Sequence, residues 1–465
     1  MITLLALGLA LLLAGALSVA LLDLLVRRAD VGAGFALGAM LLQAVFVTQA
    51  PSLYLHSVRV GATDVLFVFL VAAGIARMLR LRRYSPFLRW LLLLGVVALV
   101  SLARGVLALG MAQSVSDFRQ YMQFIGAALY FATFPPSARL YDRIGRLWLA
   151  AAVPMMLLVS VRWLKVFAGV DLGIPMEQFG NDTAIRVIDG PFTFFLAHAA
   201  MATVPVWQWQ GERARRLRRL SVLLLLFVML LDRRTVWIAM VAGVVVLATR
   251  DHRLGRRGLA MVGAAAIVTT AVFIAFPSGG SDQEPLARSA TSTSTLSWRI
   301  QGWSELVSAW SENPADWFVG QPFGAGFERE VEGSDVQSHP HDFYVETMLR
   351  TGIIGLLALI ALTAGLLRAL LRSWSGMATQ DRGLFGRGVF PALLVMQLVW
   401  FITWVPGPEQ GIVTGLAIAL VAAQRRERRA VARAEPTGDH RLPLAGARQV
   451  NRRAETGPTT GGGRP

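Results

Sequence analysis

Apolar residues recur along this chain in runs long enough to cross a lipid bilayer. They cover about 2–25, 33–50, 62–79, 90–110, 121–134, 147–167, 191–209, 220–231, 235–249, 258–276, 343–371, 388–405 and 411–423. A bilayer core of about 30 Å takes about 20 helical residues, and backbone groups inside lipid are satisfied within a helix. The pattern therefore predicts an all-α polytopic membrane protein with 12 or 13 transmembrane helices. The first run is too long and too weakly basic at its start for a cleaved signal peptide.

Composition sharpens this. Of 465 residues, 55% are apolar and only 16% charged, against roughly 25% charged in a soluble domain. That excludes an ordinary soluble enzyme and a disordered chain. The 45 basic and 29 acidic residues leave a net charge of +16, and Lys165 is the single lysine. Basicity of this size can mark nucleic-acid binding, but the arginines sit in short clusters between apolar runs, so they are read as topology and no nucleic acid is expected. With no cysteine, a disulfide framework, a thiolate metal site and a cysteine nucleophile are all excluded.

The clusters at Arg80–Arg89, Arg139–Arg146, Arg213–Arg219, Arg250–Arg257 and Arg372–Arg387 belong in the cytoplasm by the positive-inside rule. The segments between them then face outward. The longest, 277–342, holds ten acidic residues and three arginines. The expected organisation is a helical bundle over 1–276, this large outward loop, a second set of membrane helices over 343–423, and a disordered basic cytoplasmic tail over 424–465 whose first arginines meet lipid headgroups or simply stop the last span.

A loop of this length is usually functional or disordered. Its first part, Ser278–Ser297, has the Ser/Thr/Gly composition of a mobile linker. Beyond it, Arg299, Trp303, Leu306, Val307 and Trp310 fall at helical spacing, and Asn313-Pro314 ends that helix. The tryptophans suit an amphipathic helix at the outer membrane interface. Gly320, Gly324 and Gly326 then make turns. The loop ends in Ser338-His339-Pro340-His341-Asp342-Phe343-Tyr344, at the mouth of a membrane helix. Three readings of the histidines stand open: helix capping or loop hydrogen bonding, proton transfer near neutral pH, and a metal site completed by Asp342 and Glu346. Two further places carry arginine on the outward side, Arg186 ahead of Gly190-Pro191-Phe192 and Arg233-Arg234 at a helical hairpin tip. Snorkelling to the interface and two-point binding of phosphate oxygens both account for them.

Together these residues resemble the O-antigen ligase and polymerase family of bacterial membrane glycosyltransferases. The resemblance is carried by Arg299 and Trp303, by the Gly324-x-Gly326 turn, by His341-Asp342-x-Tyr344 where the family has His-Asn, and by a helix with Glu346, Leu349, Gly352, Gly355 and Leu356. Arg186 with Gly190 and Phe192, and Arg234 with Trp237, add weaker likenesses; the stretch covered is about 180–425. The resemblance implies an enzyme that transfers a glycan, with inversion and without cofactor or metal, from an undecaprenyl-diphosphate carrier to an acceptor hydroxyl on the outer face of the cytoplasmic membrane. A polymerase joining lipid-linked repeat units is the alternative, and a glycolipid flippase a more distant one. The implied partners are the lipid-linked donor, a glycan or glycolipid acceptor and membrane lipids. His341 is the implied general base, Arg299 and Arg186 neutralise the diphosphate, and Arg234, His339, Asp342, Trp303 and Tyr344 contact substrate.

Overall fold

The computed structural model describes residues 2–46, 52–55, 57–80, 85–176, 187–249, 294–331, 334–373 and 384–434, with isolated residues between 256 and 263. Among them the chain is helical almost throughout, in fourteen α-helices. These are α1 (Ile2–Arg27), α2 (Ala29–Phe46), α3 (Ala62–Arg80), α4 (Pro86–Leu109), α5 (Met111–Ala132), α6 (Ala138–Ala168) and α7 (Gly190–Thr203), followed by α8 (Glu212–Leu230), α9 (Arg234–Ala248), α10 (Ser294–Ser311), α11 (Pro314–Val319), α12 (Phe343–Ser373), α13 (Phe390–Phe401) and α14 (Pro408–Ala434). Each apolar run of the sequence is matched by a helix, except 258–276, which falls almost wholly outside the described residues.

Five of the helices are long and apolar enough to cross a membrane: α2, α3, α4, α6 and α12. α9 and α13 are apolar but shorter. The chain is thus an all-α polytopic membrane protein. Its sheet is confined to two antiparallel hairpins, β1 (Ser52–Leu55) with β2 (Val58–Gly61) and β3 (Arg329–Val331) with β4 (Ser334–Val336).

The helix ends follow local chemistry. Ser85 accepts from the Phe87 amide at the start of α4 and Ser137 from the Leu140 amide at the start of α6, supplying acceptors that the first turn lacks. Gly169 ends α6 in the left-handed region, the common glycine C-cap. Asn313 and Pro314 do more than end the amphipathic helix. The Asn313 side chain accepts from the Ala315 amide and Pro314 takes the first turn of α11, a position where its missing N–H costs nothing.

The interior is held by close helix packing. α4 packs on α5 and α12, α3 on α5, α2 on α6, and α9 on α13. On α14, Gly411 and Gly415 lie against the α5 backbone, at the Phe124 and Ala128 carbonyls, where any Cβ would collide. Small residues four apart allow this approach where lipid removes the hydrophobic drive between helices. Polar contacts add to it: Tyr141 on α6 donates to the Leu416 carbonyl at 3.0 Å and Gln397 on α13 donates to Thr414 Oγ1 at 3.0 Å.

Two expected boundaries move. α5 starts at Met111, ten residues ahead of its apolar run, because its first turns are polar on an inward face. α14 continues through Ala434, so the segment expected to be disordered from 424 begins helical. Its residues Arg426–Ala434 belong to a second compact unit, Arg426–Pro465, and 435–465 lie outside the described residues.

Candidate functional site

The site is assembled where the segment after α11 meets α4, α5 and the start of α12. The loop 320–327 is stapled into the bundle by buried charge. Arg350, on α12 and 1% exposed, pairs with Asp117 on α5 at 2.8 Å. It also donates to the carbonyls of Pro322 and Ala325, and its guanidinium lies 4.0 Å over the Phe327 ring. Asp117 in turn accepts from the Gly324 amide at 2.9 Å. From the other side Arg104 on α4 pairs with Asp316 at 2.8 Å and bonds the Gly320 carbonyl at 2.5 Å. Satisfying the loop's backbone from side chains is what lets non-helical chain sit among membrane helices.

Gly352 explains the spacing seen in the sequence. It adopts φ +64 within α12, breaking the helix into two segments, and α11 crosses it at the Phe318 carbonyl. Only glycine combines that dihedral with that contact at little cost.

The loop before α12 carries the histidines. Trp303 on α10 donates through Nε1 to the Pro340 carbonyl at 2.7 Å, fixing the centre of His339-Pro340-His341. Asp342 caps α12: Oδ1 accepts from the Val345 amide at 2.9 Å and its carbonyl from the Glu346 amide at 2.9 Å. Asp and Asn are equally good caps, so the cap tolerates Asp where the family the sequence resembles has Asn. Burial pushes the Asp342 carboxyl up to about 6, against its bonds to the α12 amides.

His341 sits at φ +53, a left-handed conformation uncommon outside glycine. Such strain concentrates at functional positions. Its ring stacks on Trp404, centroids 4.9 Å apart. Burial, reinforced by the charge of nearby Arg299, pulls its pKa down to about 4, so the imidazole is neutral at pH 7. Arg299 is itself held below its ordinary value by burial, while Asp342 opposes that shift. His339 behaves oppositely. It lies 3.5 Å from Glu346, which is wholly buried on α12, and that bond raises the His339 pKa despite burial. The two histidines of one His-x-His therefore favour different protonation states.

His339 and His341 line a cavity of about 280 Å³. Its wall includes Gln43 on α2, Arg119 and Gln120 on α5, and the turn from Trp404 to Glu409 that joins α13 to α14.

The eight residues singled out from the sequence separate into groups. His339 and His341 line the cavity, Arg299 acts on His341 through its charge, and Asp342, next to His341 in the chain, caps α12. Trp303 and Tyr344 hold structure: the Tyr344 hydroxyl donates to the Leu398 carbonyl at 3.3 Å. Arg234 opens α9 and is not among the cavity-lining residues; its neighbour Arg233 donates to the Ile188 carbonyl at 3.3 Å. Arg186 lies outside the described residues. Ligand atoms of Asp117, His339 and Glu346 come within 4.8 Å of one another, the set best able to hold a metal ion among the described residues. Of the set the sequence suggested, His339 and Glu346 are here, while Asp342 caps α12 and His341 stacks on Trp404.

Sequence reasoning passed over Asp117, Arg350 and Glu409. Each carried a signal, a charge within or at the head of an apolar helix, where ionisable groups are costly and usually have a purpose.

Residues 220–360 match the O-antigen ligase family. The matched stretch takes in the later part of α8, α9 to α11, His339 and His341, and the broken part of α12. No curated protein matches this chain by sequence.

Proposed function

We propose that this chain, whose residues 220–360 carry an O-antigen ligase domain, transfers a glycan from an undecaprenyl-diphosphate carrier to an acceptor hydroxyl on the extracytoplasmic face of the cytoplasmic membrane. The supporting observation is the pairing of a neutral, backbone-strained His341 on a cavity wall with the charge of the half-buried Arg299 nearby.

The chemistry needs two things. The acceptor hydroxyl is a poor nucleophile until its proton leaves, and a neutral imidazole accepts that proton. The leaving diphosphate gathers negative charge as the bond breaks, and an arginine in a water-poor site stabilises it strongly. In the proposed step His341 takes the proton of the acceptor hydroxyl. The oxygen bonds to the anomeric carbon of the donor sugar, and the bond to the diphosphate oxygen breaks with its electron pair staying on phosphate. Attack from the face opposite the leaving group inverts the anomeric centre. Arg299, with Arg186, neutralises the diphosphate, and Arg234 contributes from the α8–α9 hairpin. His339, Asp342, Trp303 and Tyr344 orient His341 and the acceptor.

The reading assigns no task to a metal. One oxygen of Asp117 is already shared by Arg350 and the Gly324 amide, and the bond to Glu346 raises the His339 pKa, favouring the protonated ring opposite that carboxylate. Activity in detergent is therefore expected to survive EDTA; loss on chelation with recovery on adding a divalent ion would move Asp117, His339 and Glu346 from a scaffold to a ligand set.

The direct test incubates purified protein with a defined undecaprenyl-diphosphate glycan and membrane glycolipid acceptors, following release of undecaprenyl diphosphate and the anomeric configuration of the product. Release with inverted configuration supports the proposal. Retained configuration overturns the single-step mechanism, and no transfer to any sugar hydroxyl overturns the function.

A further inference from the structure

The connection from α13 into the first turn of α14 reads Val405-Pro406-Gly407-Pro408-Glu409-Gln410, and it leaves an acid where a membrane protein rarely tolerates one. Glu409 is 1% exposed, and its Oε1 has no hydrogen-bond partner. The bonds its carboxyl does receive, from the Gln410 side chain and its own backbone amide, leave that oxygen open. Pro406 and Pro408 have no N–H, and the Gly407 amide is taken by the Gln410 side chain at 2.5 Å. A buried carboxylate oxygen without a donor costs free energy, so its retention calls for a ligand. Glu409 lines the cavity that also holds His341.

The remaining wall narrows the ligand class. Gln120 also lines the cavity, and its Oε1 has no partner either. Both open atoms are acceptors, so the ligand must bring hydrogen-bond donors. The arginine on the wall is already spent. Arg119 pairs with Asp64 at 2.7 Å and bonds the Arg59 carbonyl at 2.7 Å. Beyond the two imidazoles, the cavity therefore offers an anion no uncommitted cation among its lining residues, and it faces an anion with a second carboxylate, Asp189. The diphosphate of a lipid-linked sugar, esterified at both ends, has no donor at neutral pH and would be repelled. A sugar ring supplies several hydroxyl donors and a face that packs on Phe192 or Trp404, both on this wall.

We infer that this cavity is a saccharide subsite in which the acceptor's sugar ring hydrogen-bonds through its hydroxyls to Glu409 and Gln120, with Glu409 setting which ring is accepted. The inference rests on the proposed transfer only for calling the bound sugar the acceptor; the diphosphate is placed elsewhere, toward Arg299.

Two measurements test it on the full-length protein in detergent. In the first, a hydrophobic carbodiimide labels buried carboxylates and peptide mass spectrometry reads Glu409 specifically. The probes are the cell's own envelope saccharides, released from lipid by mild acid, and inorganic diphosphate. Saccharide is expected to slow labelling of Glu409 severalfold, and diphosphate to leave it unchanged. Protection by diphosphate alone, or by neither, overturns the inference. In the second, Glu409→Gln, Glu409→Ala and Gln120→Ala are assayed for acceptor KM, kcat and donor binding, with folding checked by size-exclusion profile. Glu409→Ala is expected to raise the acceptor KM about 10- to 100-fold, the range for losing a hydrogen bond to a charged group, with donor binding intact; Glu409→Gln is expected to raise it less. Equal loss of donor binding, or no change in acceptor KM, counts against the subsite. If these variants do not fold, the labelling experiment on the unmodified protein still decides. Should the wild type protect Glu409 with saccharide yet transfer nothing from the lipid diphosphate, the subsite stands and the proposed reaction fails.

Discussion

At the scale of single residues the site depends on one imidazole kept neutral. His341 owes its low pKa of about 4 first to burial and then to the charge of Arg299. A group with a lowered pKa is in its base form at every pH above that value, so the rate is expected to show no limb at the ordinary histidine value near 6.5 and to fall only as pH approaches about 4. Arg299→Ala removes one of the two largest causes of that depression. The acid limb of kcat/KM should then move to higher pH, and turnover should fall because diphosphate charge is no longer neutralised. Arg299→Lys keeps the charge and loses the two-point geometry; it is expected to restore the limb's position and only part of the rate. An acid limb unmoved in Arg299→Ala would separate the two residues. The histidines, Arg299 and Asp342 were all visible in the sequence, because polar residues at the end of a long outward loop stand out against apolar helices. Their division of labour was not. Nothing in His-x-His tells which ring meets Glu346 and which stacks on Trp404, since that depends on how the loop turns into α12 and on a partner more than sixty residues on in the chain.

At the scale of elements, α12 is the decisive one. Its apolar run and its start at Phe343 follow from the sequence, and so does the importance of Gly352 as part of a spacing. The break at Gly352 was not legible, because it exists to admit α11. Arg350 sits on the segment before the break and pins the loop 320–327 through Asp117. Removing one partner of a buried ion pair leaves the other uncompensated, at about 3–5 kcal/mol. Arg350→Met should therefore lower thermal stability in detergent far more than Arg104→Met, whose pair with Asp316 is more exposed, and should reduce activity through the displaced loop. Equal effects would mean that Asp117–Arg350 is not the anchor described. The start of α5 teaches the complementary point. Residues 111–120 fall between two apolar runs because hydropathy registers only apolar faces, yet they form helix and place Asp117, Arg119 and Gln120 at the site.

At the scale of the whole molecule the alternation of basic and acidic segments sets the proposed orientation. It places 277–342 outside and the start of α14's basic end inside. A reporter fused after Gly280 is expected outside the cytoplasm and one fused after Arg429 within it; both on one side would overturn the side assigned to the active site. The composition over 436–465 cannot build a core, so deleting it should leave glycan transfer nearly unchanged, measured on membrane-inserted protein. A large loss would reveal a partner for that segment. Hydropathy alone carried this level of the architecture, since twelve of the thirteen apolar runs coincide with helices among the described residues.

The central claim, that one histidine of the pair removes the acceptor's proton, is tested most directly by comparing His341→Ala with His339→Ala. Both are assayed as folded, membrane-inserted proteins for transfer from a defined undecaprenyl-diphosphate glycan, with donor binding measured separately. His341→Ala is expected to lose about 10²- to 10⁴-fold in turnover, the usual contribution of a general base, while keeping donor binding, and His339→Ala to lose less. Near wild-type turnover in His341→Ala with a dead His339→Ala would assign the base to the wrong ring, and full activity in both would contradict the acid–base mechanism altogether.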